Sequence, residues 1–218
     1  RTKILGAGHP EALASANNLA TVYGDQGKYH ARLSLIEKTY EACKRALGDE
    51  HPNTLIARSN LAHAQEGMGD YEEAYRTYQK VYITRAKILG EEHPYTLIAL
   101  SGMAQCRSRL GDFEWAARIH KDVYEIRLRT LGEEHPDTLS SMSALAECYA
   151  KQRKIGEARA LHERVYEIKR RTMSEDNPGM LSTMMSLAGL YFGAGDYEKS
   201  LELCERVYSA ELKLYGEK

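Results

Sequence analysis

The stretch LGEEHPDTL, residues 131–139, belongs to a series in which each copy begins 42 residues after the last. LGDEHPNTL occupies 47–55 and LGEEHPYTL occupies 89–97, with looser copies LGAGHPEAL at 5–13 and MSEDNPGML at 173–181. A period this strict constrains the fold more than composition does. One structural unit is copied, and every copy must meet its neighbours in the same way. Cutting at the His-Pro gives five units, 9–50, 51–92, 93–134, 135–176 and 177–218, and leaves residues 1–8 as the end of a preceding repeat helix.

All five prolines, Pro10, Pro52, Pro94, Pro136 and Pro178, open a unit. Proline lacks an N–H and has φ preset near the helical value, so it suits a first helical turn. The acidic residues before it, as in Glu133-Glu134, favour the positive end of that helix. Gly48, Gly90 and Gly132 suit a left-handed stop of the helix before. The motif is therefore punctuation, and its histidine sits at or near an N-cap. Between marks there is room for two helices, in the second unit Pro52 to Met68 and Tyr71 to Leu89, with a turn at Gly69-Asp70. That turn recurs as GKY, GDF and GDY and fails only as RKI at 153–155. Ala20, Ala62, Ala104, Ala146 and Ala188 never vary, and a residue that small lets a neighbouring helix approach closely. Tyr40, Tyr82, Tyr124, Tyr166 and Tyr208 keep register and are expected as stacked core residues. One helix pair cannot bury its own apolar face, whereas five stacked pairs can. The expected fold is an all-α right-handed superhelical solenoid of five helix-turn-helix units.

Composition narrows the function classes. Thirty basic and 31 acidic residues give a formal net charge of −1, without the basic excess of a nucleic-acid binder. The densest basic stretch, KQRK at 151–154 with Lys169, Arg170 and Arg171, lies in a unit of eight basic and seven acidic residues. It reads as a solvated face with Glu163 and Glu167 interspersed. No apolar run reaches the ~20 residues of a membrane span. Cys106 and Cys148 occupy one apolar register position, so the four thiols read as small core residues, reduced as in a cytoplasmic protein. No metal-spaced His/Cys cluster, nucleophile elbow or phosphate loop is visible, so neither metal, cofactor nor enzyme activity is expected.

LATVYGDQGKY at 19–29 and LAGLYFGAGDY at 187–197 resemble the core of tetratricopeptide repeats. The alanine that the family keeps in its second helix stands at Ala74, Ala116 and Ala158, whereas Arg32 and Ser200 depart from it. The ordinary period of that family is about 34 residues. The longer period and the LGxxHPxT motif resemble the kinesin light chain type, with a lengthened second helix. The resemblance implies a protein-binding scaffold that takes a peptide or protein segment along a concave groove lined by first helices. Helical spacing opposite the Leu-Ala core pair then selects Asn17, Thr21, Ser59, His63, Ser101, Gln105, Ser143 and Glu147, flanked by Asn60. Ile98 and Gly102 stand where a clamp for a C-terminal carboxylate would carry basic residues. An alternative is an oligomerisation or autoinhibitory sensor module of a larger signalling protein. The chain ends at LYGEK, 214–218, just before another His-Pro falls due, so the array either continues or offers ends for self-association.

Overall fold

The computed structural model describes residues 9–216; residues 1–8, expected as the end of a preceding helix, lie outside the described residues. Ten helices and no strand are found among them. These are α1 (Pro10–Asp25), α2 (Tyr29–Leu47), α3 (Pro52–Met68), α4 (Tyr71–Leu89) and α5 (Pro94–Arg109), then α6 (Phe113–Leu131), α7 (Pro136–Lys151), α8 (Ile155–Thr172), α9 (Pro178–Gly193) and α10 (Tyr197–Tyr215). The chain forms two compact units, divided after Asp112. In the first, α1 to α5 each pack on the next; in the second, α6 to α10 do the same.

The punctuation works through local bonds. His51, His93 and His135 are N-caps, each Nδ1 accepting from the backbone N–H two residues on, at 3.1–3.2 Å. His9 does the same at α1, and Asn177 substitutes its side-chain oxygen at α9, at 2.8 Å. The N-terminal N–H groups have no helical partner, so each cap satisfies an otherwise orphaned donor. Gly48 and Gly90 have positive φ as expected, but their ψ of 168° and 159° is extended rather than left-handed helical. This region is open only to glycine. The fifth copy carries Ser174 at that register, and α8 instead stops through Met173 in ordinary extended conformation. Where the turn glycine fails, Arg153 holds φ at 64°.

The invariant alanines line the interior: Ala20, Ala62, Ala104, Ala146 and Ala188 are all buried. Cys43, Cys106 and Cys148 join them, and Cys204 is half-buried. Replacing Ala104 by leucine should overpack this contact and cost about 1–3 kcal/mol. An unchanged melting temperature would refute the packing register. The tyrosine row is less uniform than expected. Tyr40 is buried, and its hydroxyl accepts from Arg58 Nε at 3.0 Å. Tyr82, Tyr124 and Tyr166 are half-buried, and Tyr208 is 63% exposed. Their burial depends on what the following helix presents, which the period alone does not fix.

A row of cations was not anticipated. Arg85 at the end of α4 donates to the Tyr95 carbonyl of α5 at 2.9 Å. Arg127 of α6 donates to the Asp137 carbonyl and to Ser141 Oγ of α7, at 3.1 and 2.7 Å. Lys169 of α8 reaches the Gly179 carbonyl and Thr183 Oγ1 of α9, at 2.8 and 2.7 Å. These residues are 42 apart, so the same staple recurs, and Cys43 holds the register in the first repeat. There Arg58 takes over from the other side, paired with Asp49 at 2.9 Å. Lys169 is thus half-buried and bonded, not part of a solvated basic face, whereas Lys151, Arg153, Lys154, Arg170 and Arg171 are exposed as expected. The acidic links also face outward partners. Glu133 accepts two bonds from Arg164 of α8, at 2.7 and 2.6 Å.

Candidate functional site

Four residues chosen from the sequence converge in the first unit. Asn17 and Thr21 on α1 and Asn60 and His63 on α3 line one cavity of about 240 Å³, closed by Ala20 and by Arg32 and Ile36 of α2. Positions four apart on a helix share a face, which brings Asn17 and Thr21 to the same rim. Asn60 Nδ2 donates to Asn17 Oδ1 at 2.8 Å and so fixes which end of the Asn17 amide stays free, namely its NH₂. The Thr21 hydroxyl donates to the Asn17 carbonyl at 3.1 Å, leaving its lone pairs open.

Arg32 is the residue that sequence reasoning noted only as a departure. It stands where Ala74, Ala116 and Ala158 are fully buried, yet it is half-buried and carries a guanidinium into the cavity. Two glycines make room: a Cβ on Gly67 would lie 3.4 Å from Arg32 Nη1, and one on Gly24 would lie 3.6 Å from it. Arg32 Nη2 donates to His63 Nδ1 at 2.6 Å. Burial first, and then the Arg32 charge, hold His63 below the usual histidine range, so its imidazole is neutral near pH 7. One turn further along α3, burial raises the Glu66 carboxyl against the opposing pull of Arg109. The cavity therefore offers amide, guanidinium and imidazole donors beside open acceptor lone pairs, the set that binds a peptide backbone or a polar side chain.

The other chosen residues lie apart from this cavity. Ser59 is half-buried, and its hydroxyl donates back to the Leu55 carbonyl at 2.9 Å. Ser101 Oγ is shut off from solvent and has no hydrogen-bond partner. A bulky residue at Ser101 would therefore perturb packing as well as any bound segment. Gln105 is half-buried on α5. In the second unit, α7 carries Ser143, half-buried, and Glu147, exposed. Also in that unit, Phe192 is 64% exposed and meets Tyr197 edge-on with ring centroids 5.3 Å apart.

A second concavity of about 220 Å³ in the first unit is lined by Leu55, Ile56, Ile88, Leu89 and Tyr95, with Glu50 and Arg85 at its margin. The period could have exposed its apolar side chains, because Ile56 and Ile98 are followed at the same register by Ser140 and Ser182.

Comparison with known proteins agrees with this architecture. A model described as tetratricopeptide repeat matches residues 11–82, 58–129 and 116–171, and a second of the same description matches 180–217. No curated protein matches the chain. A solved structure of nearly identical repeats from a Podosopora anserina protein described as a kinesin light chain is 30% identical, with a TM-score of 0.74, covering 96% of this chain and 99% of that one. BtubC (BKLC) from P. vanneervenii is 21% identical, with a TM-score of 0.77 over 95% of this chain and 83% of its own. MamA from Desulfovibrio magneticus RS-1 is 12% identical, with a TM-score of 0.60, covering 92% and 96% respectively; the last two show the fold alone. With the matched models spanning most of its length, the chain belongs to the tetratricopeptide repeat family, whose repeats generally mediate protein–protein interactions, and its repeats are kinesin light chain-like.

Proposed function

We propose that this chain is a non-enzymatic binding module that takes an extended protein segment along the face lined by α1, α3 and α5. The observation that carries the reading is the convergence of Asn17, Thr21, Asn60 and His63 on one polar cavity. Such groups can bond the backbone of an incoming chain, which gives affinity with little demand on its sequence. The exposed side chains Ile56 and Ile98, on the same helices, supply apolar contact beside it. Among the described residues no helix is long and apolar enough to cross a membrane. With four free cysteines, three of them buried, we place the module in the cytoplasm, where thiols stay reduced.

Panning the chain against a random-peptide display library tests this, with Thr21→Trp as the negative selection. Thr21 is exposed, so the indole fills the cavity mouth without entering the core. Peptides sharing a motif should be enriched and then lost on the variant, whose melting curve stays unchanged. No enrichment on the parent chain would overturn the reading and favour self-association through the array ends.

A further inference from the structure

The three cation staples differ in one partner. Arg127 and Lys169 each bond a carbonyl and also a hydroxyl, of Ser141 and of Thr183, both at 2.7 Å. At the register of those hydroxyls Arg85 meets Ala99, and among the described residues it bonds the Tyr95 carbonyl alone. Arg85 is nevertheless only 4% exposed, with its Cζ 5.5 Å from the centroid of the Tyr95 ring. A guanidinium carries five N–H donors. Taking its charge out of water is unfavourable unless an opposite charge or good acceptors replace the solvent. Burial lowers its pKa from the usual arginine range, opposed by Tyr95 and by no carboxylate. The same guanidinium lines the concavity of about 220 Å³ formed with Leu55, Ile56, Ile88, Leu89 and Tyr95. These apolar walls are peculiar to this junction. Ile88 is followed at its register by Thr130 and Thr172, and Tyr95 by Asp137 and Gly179. An incomplete staple and an apolar recess thus coincide at one place in the first unit.

We propose that this recess binds a small organic acid, with its alkyl or aryl body among Ile56, Ile88, Leu89 and Tyr95 and its carboxylate on Arg85. The site goes beyond segment binding and does not depend on it. A guanidinium fork matches a carboxylate in geometry and in charge. His93, on the same wall, adds a donor: its Nδ1 accepts from the Tyr95 N–H at 3.2 Å, so the neutral ring carries its proton on Nε2. The other charged wall residue, Glu50, has Lys87 Nζ at 3.6 Å as its counter-charge. A volume of about 220 Å³ holds roughly seven groups the size of a water or a methylene, at about 30 Å³ each. Hexanoate and phenylacetate are of this size. A bare carboxylate would leave the apolar walls wet, and a bare hydrocarbon would leave the guanidinium donors unpaired, so the ligand needs both parts.

The test is a titration of the intact chain with hexanoate and with phenylacetate, followed by NMR of the Ile56 and Ile88 methyl groups and the Arg85 Nε–H. Both acids should shift these signals saturably. 1-Hexanol, which keeps the body, and acetate, which keeps the charge, should each bind at least about tenfold more weakly than hexanoate. Two variants separate the parts of the site. Ala99→Ser supplies the hydroxyl found at Ser141 and should weaken both acids by occupying the guanidinium. Ile88→Thr installs the residue of two later repeats and should weaken hexanoate several-fold; Ile88 is exposed, so this change leaves the fold intact. Hexanol binding as tightly as hexanoate would overturn the role of Arg85, and acetate binding as tightly would overturn the apolar recess. Absence of any saturable shift with either acid would overturn the site. Saturation by a peptide ending in leucine, but by neither acid, would move the carboxylate to a chain end and overturn a small-molecule ligand. Peptides lost on Thr21→Trp in the display experiment, with no acid bound here, would keep segment binding and sink this site alone.

Discussion

Replacing Gly102 by valine is expected to destabilise the first unit by about 3 kcal/mol, at the upper end of ordinary overpacking. A Cβ at this position would lie 2.6 Å from Tyr78 Cζ, 2.7 Å from Cε1 and 2.8 Å from Cε2. Non-bonded carbon atoms do not approach that closely, and the Tyr78 ring is itself buried in a close-packed interior. The intrinsic gain from replacing glycine within a helix returns only a few tenths of a kcal/mol for valine. Urea unfolding should show a lower midpoint with an unchanged slope, the mark of altered stability rather than altered compactness. The cause is separable. Tyr78→Ile copies the residue that the first repeat carries at this register, Ile36. Combined with Gly102→Val, it should recover most of the loss, because neighbours in contact couple strongly. If Gly102→Val cost the same with and without Tyr78→Ile, the ring would not be the obstacle.

Acid should weaken the second unit before carboxylates titrate. His120 is 3% exposed, and neither ring nitrogen has a hydrogen-bond partner. Burial, and then the charge of Arg127, push its pKa down to about 4 from the usual 6.5. His162, one repeat on, is lowered by burial and by Lys169. In both, the folded state resists a proton that the unfolded chain accepts, so stability is complete above pH 6.5 and falls as pH drops toward 4. For His120 alone the loss between about pH 7.5 and pH 5 is about 2 kcal/mol. Urea midpoints measured across that range should fall, and His120→Leu should flatten the slope by that share. A His120→Leu profile parallel to the parent's would show that this imidazole is not the titrating group.

These two predictions also mark what could be read from the chain. The limits of α3 and α4 follow from Pro52, Gly69 and Gly90, because proline, histidine caps and glycine each act within one turn. Helical periodicity likewise placed Asn17, Thr21 and His63 on one stripe, with Asn60 flanking it. What periodicity could not supply is depth. Ser101 lies on the selected stripe, yet its oxygen is sealed, and the tyrosine row ranges from buried Tyr40 to exposed Tyr208. At Tyr78 depth is set by the residue 24 positions on, where the second helix meets the next first helix. Tyr78 needs Gly102 there, whereas Ala144 stands at the same offset from His120 and Ser186 from His162. Arg32 shows the same limit. Its departure from alanine was visible, but its meaning rests on Gly24, Gly67 and His63, which only the fold assembles.

The recurring staple bears on how such a chain can grow. Arg85, Arg127 and Lys169 all bond a main-chain carbonyl at the start of the following helix. Every repeat possesses that carbonyl, whatever its side chains, so a duplicated or transplanted unit can be joined on without finding a new partner for the cation. The steric match of Tyr78 to Gly102 has no such generality. A unit ending in a tyrosine at this register can be followed only by one that brings a glycine. The junctions of this array thus combine a universal connector with a keyed one, and the keyed residues are the ones that must change together when the order of repeats is rewritten.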